Sequence, residues 1–489
     1  MKKIYINIKE RSRKGLLLLL PVALLVGACG KDFLNYPSET SIPEEVTFAT
    51  PERILAQVNG LYGSAKNGAL FGGRYFIYND IRSEEFANRT SNTVTGFTTW
   101  QFTNDPTDTY IANFWTIGYL TINRVNKFLT DFDSNPGVVS AELEASYRAE
   151  AKFVRALCYY ALVQLFAKPY ALNNGSSTGI PLRLQPETNS GNNELAPSTV
   201  AEIYAQILQD LNEAEAGLPV GYGTASLNTS RAHKNTAIAL KTRIYLAMGR
   251  YADVITEANK IVSATAPFSS PNSTNVAHAL QANVVNVFRT PYTTSENIFS
   301  FPMADTNAPG TQNQLGYYYN AGNIEYYLNR GAAGIFGNTT LWRSGDARRT
   351  GFTLAYNANW DILTKWSGAA PFIDWTPVLR YAEVLLNLAE AEAEVGDQTR
   401  AIALLSAVRS RSDNSYAFSG LTSRAAIVNS ILVERRIEFL GEGFRVPDLQ
   451  RRLSPIVSLG AGTSIPVTDD RYVFPIPAAE VLTNPGISQ

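Results

Sequence analysis

Paired carboxylates, a thiol and two histidines are the residues of this chain whose types could support chemistry. Glu434 and Glu438 stand four apart in Glu434-Arg435-Arg436-Ile437-Glu438-Phe439, which places both carboxylates on one helical face. Two carboxylates so placed are the minimum for acid/base work on a glycosidic bond. Arg435, Arg436, Arg445, Arg451 and Arg452 crowd the same segment, and arginine partners lower a carboxyl pKa and spoil it as an acid. Structural ion pairing is the expectation, as it is for Glu383 and Glu390 near Arg380. Cys158 falls inside an amphipathic helical pattern, the setting of a buried inert thiol. His233 and His278 are the only histidines, and Cys29 is the only other cysteine. A closed Cys/His zinc site is therefore not expected. No phosphate-cradling glycine loop, serine nucleophile elbow or two-histidine metal helix occurs. The reading is of no catalytic residue, no metal and no cofactor.

Binding chemistry is better represented. All six tryptophans (Trp100, Trp115, Trp342, Trp360, Trp366 and Trp375) lie in two stretches, 68–115 and 267–375. Both stretches are rich in Gly, Asn, Ser, Thr and aromatics and show little helical period. Segments that long without regular structure are usually functional. Sugar rings present apolar faces that stack on aromatic side chains, and Trp and Tyr add a polar handle. Trp100, Tyr317, Tyr318, Trp342, Trp360 and Trp366 are the candidate ligand contacts. Asp80 and Arg82, followed by Glu84 and Glu85, are candidates for holding sugar hydroxyls. Trp115 and Trp375 border helix starts, where packing explains them better.

The N-terminus carries a separate signal. Lys2, Lys3, Lys9, Arg11, Arg13 and Lys14 precede an apolar run from Leu16 to Val26. That run is shorter than the roughly 20 residues a membrane-spanning helix needs. Val26-Gly27-Ala28-Cys29 follows. Charge, apolar core, small residues and cysteine in that order read as a signal peptide over 1–28 ending in a lipobox, with Cys29 acylated. Two or more acyl chains anchor a protein stably. The leader removes six of the 42 Lys/Arg and one of the 43 Asp/Glu, so the mature chain is net acidic by six. That charge argues against nucleic acid as a partner. With Cys29 lipidated, Cys158 has no disulfide partner, and stability must come from a large core.

The elements that position the aromatics read as helical. Residues 141–166 carry Leu143, Tyr147, Val154, Leu157, Ala161 and Leu165 at helical spacing. A second helix starts after Pro197-Ser198-Thr199, with Val200, Ile203, Ile207 and Leu211 on its apolar face, and ends near Gly217. Two blocks read as hairpins. One runs over 237–248, breaks at Gly249, and resumes over 251–262. The other starts with Thr376 as N-cap and Pro377 at the first position. It continues to Val395, breaks at Gly396, and resumes through Ile402, Leu405 and Val408. A last helix spans about 424–440. Stacked hairpins of this kind point to a mainly α fold of tetratricopeptide-like pairs supporting the irregular, aromatic-rich loops. The chain divides into the leader, an N-terminal half over 29–235 and a C-terminal half over 236–489, packed as one globular unit.

Several motifs in order carry a family resemblance. They are Cys29-Gly30-Lys31-Asp32-Phe33-Leu34, Arg148-Ala149-Glu150-Ala151-Lys152-Phe153-Val154-Arg155-Ala156, Asp346-Ala347-Arg348, and Arg380-Tyr381-Ala382-Glu383-Val384-Leu385-Leu386-Asn387. Glu434 to Phe439, Gly443-Phe444-Arg445 with Asp448-Leu449, and Pro475-Ile476-Pro477 with Asn484-Pro485 complete the set. Together they resemble the SusD/RagB family of Bacteroidetes outer-membrane lipoproteins. The resemblance implies a non-enzymatic surface protein that binds glycan and delivers it to a SusC-like TonB-dependent transporter, over whose mouth it acts as a lid. A peptide-binding role within the same family is the first alternative, and a surface glycoside hydrolase the second. The shared motifs lie on the scaffold, so the resemblance carries no ligand residues over.

Overall fold

The computed structural model describes residues 46–189, 191, 193–271 and 276–487. The leader and Cys29 lie outside the described residues. The chain forms two compact units, Met1–Ile54 and Leu55–Gln489. Within the first, residues 51–54 open a helix that spans Pro51–Ala65.

Nine helices of the second unit form its scaffold: α1 (Thr109–Asp133), α2 (Ala141–Phe166), α3 (Val200–Gly217), α4 (Lys234–Ala247), α5 (Tyr251–Ala258), α6 (Tyr381–Val395), α7 (Gln398–Ser412), α8 (Arg424–Glu438) and α9 (Arg445–Arg451). From α1 to α7 each packs on the one before it in this order, and α8 closes on both α6 and α7. A one-dimensional stack of helix pairs is the tetratricopeptide-like arrangement expected. Local chemistry sets the helix starts. Ser140 accepts from Leu143 N at 3.3 Å. Thr199 and Glu202 form a reciprocal capping box. Gly249 turns the chain between α4 and α5 with φ of +70°, a conformation that glycine adopts without steric cost. From Ala149 to Phe166, α2 is buried on almost every side, so it forms the centre of the stack, with Cys158 inside it. Burial pushes the Cys158 thiol pKa up, away from reactivity.

Residues 109–115, read as irregular, belong to α1, and two further segments depart from the sequence reading. Thr376–Arg380 is not the start of a helix. It is a buried strand paired antiparallel with Asn297–Phe301, and α6 begins at Tyr381. Thr-Pro suits a strand's first residues as well as a helix start, and the Asn297–Phe301 partner decides between them. Residues 74–81, read as irregular, form a helix whose eight residues are all buried. A helix hidden all round has no polar face, so it shows no amphipathic period.

The stretches 68–115 and 267–375 are joined to each other. Phe86–Asn88 pairs antiparallel with Tyr326–Leu328, with Ala87 opposite Tyr327. Asn329 N donates to Glu85 O at 2.9 Å, and Arg89 N to Glu325 O at 2.9 Å, which extends this ribbon at both ends. A hairpin of Thr353–Ala355 with Asp361–Leu363 packs beside it.

Candidate functional site

The acidic residues singled out by sequence lie inside the protein. Arg348 Nη1 reaches Glu434 at 2.5 Å and Glu438 at 2.9 Å, and its Nη2 reaches Asp346 at 2.7 Å. Arg409 holds the other Glu434 oxygen at 2.6 Å. Arg380 and Arg411 each bridge Glu438 and Glu296, and Arg380 and Lys365 both hold Glu442. Five cations thus meet five carboxylates, so the buried cluster is neutral, the condition for placing charge in a low-dielectric interior. Burial by itself raises the Glu438 pKa, but Arg411, Arg380 and Arg348 together outweigh it and hold the carboxyl well below the ordinary range.

Ion pairing is as expected, but the partners differ. Arg435 pairs with Asp448, Arg436 with Glu84 and Glu85, and Arg445 with Glu84. Glu383 pairs with Arg243, and Glu390 with Arg451 and Arg452. Among the described residues, no group of three or more His, Cys, Asp or Glu side chains is placed to hold a metal ion.

The aromatic candidates divide by burial. Trp342 and Trp366 are each 1% exposed and Tyr318 is 0% exposed. The Trp366 indole donates to Gly441 O at 3.2 Å and meets Phe288 edge-on at 5.3 Å. Trp342 packs against Phe336 and the Arg349 guanidinium. Tyr318 stacks on Tyr326 at 6.0 Å and donates to Gln312 O. Asp80 and Arg82 are buried too. The Asp80 carboxyl accepts from Gly443 N at 3.0 Å and Tyr319 hydroxyl at 3.3 Å, and burial raises its pKa well above the ordinary value. Arg82 donates to the Arg471 and Tyr472 carbonyls.

Trp100, Tyr317 and Trp360 are half-buried, with part of each side chain open to solvent. Trp100 sits on the short helix Phe97–Gln101 and stacks on Phe97 at 5.9 Å and 21°. Its indole donates to Phe86 O at 3.0 Å, which covers the open edge of the ribbon strand. Trp360 caps the hairpin loop, with its backbone N bound to Asn357 Oδ1 at 3.0 Å. Its ring lies 6.3 Å from Tyr327 at 39°. The ribbon alternates, so Tyr326 and Leu328 face inward while Tyr327, opposite Ala87, faces outward. The Arg89 guanidinium sits 5.5 Å from the Trp360 ring and donates to Ile324 O at 2.5 Å and Asn323 O at 2.7 Å. Tyr317 stands nearby in sequence, edge-on to Phe372 at 5.9 Å.

One ribbon therefore carries Trp100 on its edge and Tyr327 with Trp360 on its outward face. Arg89 and Tyr327 were not among the sequence candidates. The Tyr-Tyr-Leu run at 326–328 was the available signal, since alternating aromatics fit a half-buried strand. Asp108 positions the site from below. Its Oδ1 caps α1 through Tyr110 N and Ile111 N. Its Oδ2 accepts from Thr98 Oγ1 at 3.0 Å and Asn104 Nδ2 at 2.8 Å, which ties the Trp100 helix to the scaffold.

Scaffold and surface define a class: helical-repeat proteins that display aromatic side chains on an irregular module. The chain belongs to the SusD family, whose model matches residues 164–455. A second family model, described as starch-binding and associating with the outer membrane, matches residues 32–246. A SusD superfamily protein of Bacteroides fragilis has the same fold with a TM-score of 0.81 at 35% identity, over 90% of this chain and 100% of that one. A laminarin-binding SusD-like protein superposes with a TM-score of 0.67 at 22% identity, over 89% of this chain and 98% of its own. SusD-like protein P2 of Formosa agariphila is 22% identical over 95% of this chain and 97% of its own length. Matches to two other proteins of that organism, SusD-like P38 and P25, span only 25% and 46% of their lengths. No helix among the described residues is long and apolar enough to cross a membrane.

Proposed function

We propose that this protein is a non-catalytic glycan-binding lipoprotein. Trp100, Tyr317, Tyr327 and Trp360 stack on sugar rings, and the exposed Arg89, its Nε and Nη2 held by the Ile324 and Asn323 carbonyls, offers Nη1 to a hydroxyl oxygen. Lipid on Cys29 holds the protein to the outer membrane, and a SusC-like TonB-dependent transporter receives the glycan. The observation that carries the reading is the partial exposure of Trp100, Tyr327 and Trp360 about one ribbon, while Trp342, Trp366 and Tyr318 are packed away. Aromatics with open faces and a rigid backing suit ligand stacking. The laminarin-binding neighbour supports glycan as the ligand class. The absence of catalysis is argued from Glu434 and Glu438, which are fully buried and locked to arginines.

Titration of the purified chain by intrinsic tryptophan fluorescence tests the reading, with laminarin oligosaccharides in a wider glycan panel and peptides as the contrast. Saturable change with an oligosaccharide is the expected result. Binding of peptides alone would move the protein to the peptide-binding branch. Sugar release from a polysaccharide would overturn the non-catalytic part. Co-purification with the transporter, lost on Cys29→Ala, is the corresponding expectation for the membrane.

A further inference from the structure

Arg436 lies between Glu434 and Glu438 in α8 but turns away from them. Two residues along a helix rotate the side chain by roughly 200°. The glutamates therefore enter the buried charge cluster, and Arg436 leaves α8 toward the irregular module. There one guanidinium ties together the segments that flank both ribbon strands. Its Nε and Nη2 reach Glu85 Oε1 at 2.7 and 2.6 Å, directly before the Phe86–Asn88 strand. The same Nη2 meets Glu84 Oε1 at 3.0 Å and donates to the Ala333 carbonyl at 2.8 Å, in the turn that follows Tyr326–Leu328. Glu85 Oε2 in turn accepts from Ile335 N at 2.8 Å. Asn329 Nδ2 donates to the Glu84 carbonyl at 2.8 Å.

Arg445 of α9 also holds Glu84, through Nε at 3.0 Å and Nη2 at 2.5 Å. Two arginines thus face two carboxylates, and the joint is neutral. It is also sheltered: the Glu84 and Glu85 side chains are 4% and 3% exposed. Burial raises the Glu85 pKa, and Arg436 is the strongest of the groups that oppose this. A planar guanidinium makes such bonds in fixed directions, which an ammonium cannot do. The joint adjoins the aromatic surface. The Trp100 indole is bound to the carbonyl of Phe86, the residue after Glu85, and Tyr327 sits on the strand that leads to Ala333.

On the glycan-binding reading given above, we infer that Arg436 is a positioning residue: from the scaffold helix it fixes the two ribbon strands against each other, and with them Trp100 and Tyr327. It touches no ligand. Arg436→Lys keeps the charge and loses the fork. Arg155 makes a similar buried fork to Asp210 inside the scaffold, at 2.8 and 2.7 Å, so Arg155→Lys serves as the control for lost stability. Glycan affinity, by tryptophan titration, and hydrogen exchange at the Asn329 amide are measured on the full chain and on both variants. Arg436→Lys should weaken glycan binding roughly three- to tenfold. It should speed Asn329 exchange by at least about tenfold and leave the amides of α2 unchanged. Arg155→Lys should change neither glycan affinity nor Asn329 exchange. Should Arg436→Lys fail to fold, the double variant Arg436→Gln with Glu85→Gln removes both charges together, with the same result expected. Wild-type affinity in the Arg436 variant, or an equal loss in Arg155→Lys, overturns the role. If the wild type binds no oligosaccharide, the glycan reading falls, and exchange alone decides the clamp: an unchanged Asn329 rate overturns it.

Discussion

Replacing Trp360 by alanine removes a partly open ring and leaves the core untouched, whereas Trp100→Ala also loses the bond to Phe86 O and costs about 1 kcal/mol of stability. Each change should weaken glycan binding roughly ten- to hundredfold, with little shift in melting temperature for Trp360→Ala and a modest fall for Trp100→Ala, as read by titration and thermal denaturation of the same preparations. Trp366→Ala should do the reverse. Its ring is packed against Phe288, so the cost is stability, about 3–5 kcal/mol. Arg348→Met tests the buried charge cluster in the same way. It leaves Asp346, Glu434 and Glu438 short of a partner, and breaking such a set costs about 3–5 kcal/mol, measurable by denaturant unfolding. These residues look alike in sequence. The glycine- and asparagine-rich surroundings of Trp342 and Trp360 do not say which ring the rest of the chain will cover. The arginines that neutralise Glu434 come from positions 348 and 409, far from the arginines next to it.

At the scale of elements, Asp108 serves two structures at once. Asp108→Ala removes the cap of α1, at about 1 kcal/mol, and frees the Thr98 and Asn104 tethers beneath Trp100. Both stability and glycan affinity should fall, and Asp108→Asn should recover most of the stability, by the same two measurements. The helices with one polar face, α3 and α7, were legible in the sequence because burial on one side leaves a period, and α2 was legible through its exposed first turns and its length. The hairpin break at Gly249 was legible because glycine there meets a backbone demand. The 74–81 helix was hidden by total burial, and Thr376–Arg380 by a strand partner some eighty residues away. The ribbon that carries the candidate site was the least legible element. Its two strands are three residues each, too short for periodicity to register.

The whole molecule should respond to acid through its two histidines. His233 and His278 stack at 5.6 Å. Burial, reinforced for His233 by the neighbouring imidazole, lowers their pKa values from 6.5 to about 3 and about 4. The unfolded chain therefore takes up protons first as pH falls. Stability is complete above 6.5 and declines through the window down to about 4 and about 3, by up to about 1.4 kcal/mol per pH unit for each histidine. Melting temperature should drop across that window, and His278→Gln should flatten the slope. The ribbon has a temporal consequence as well. Ala87 and Tyr327 are separated by about 240 residues of chain, and contacts of long sequence separation form slowly. The N-terminal strand is synthesised long before its partner exists. The ribbon therefore forms only after Tyr326–Leu328 has been made, and a nascent chain ending before it has Trp100 but neither the partner strand nor Tyr327 and Trp360. On the proposed reading, glycan binding reports on completed folding of the ribbon.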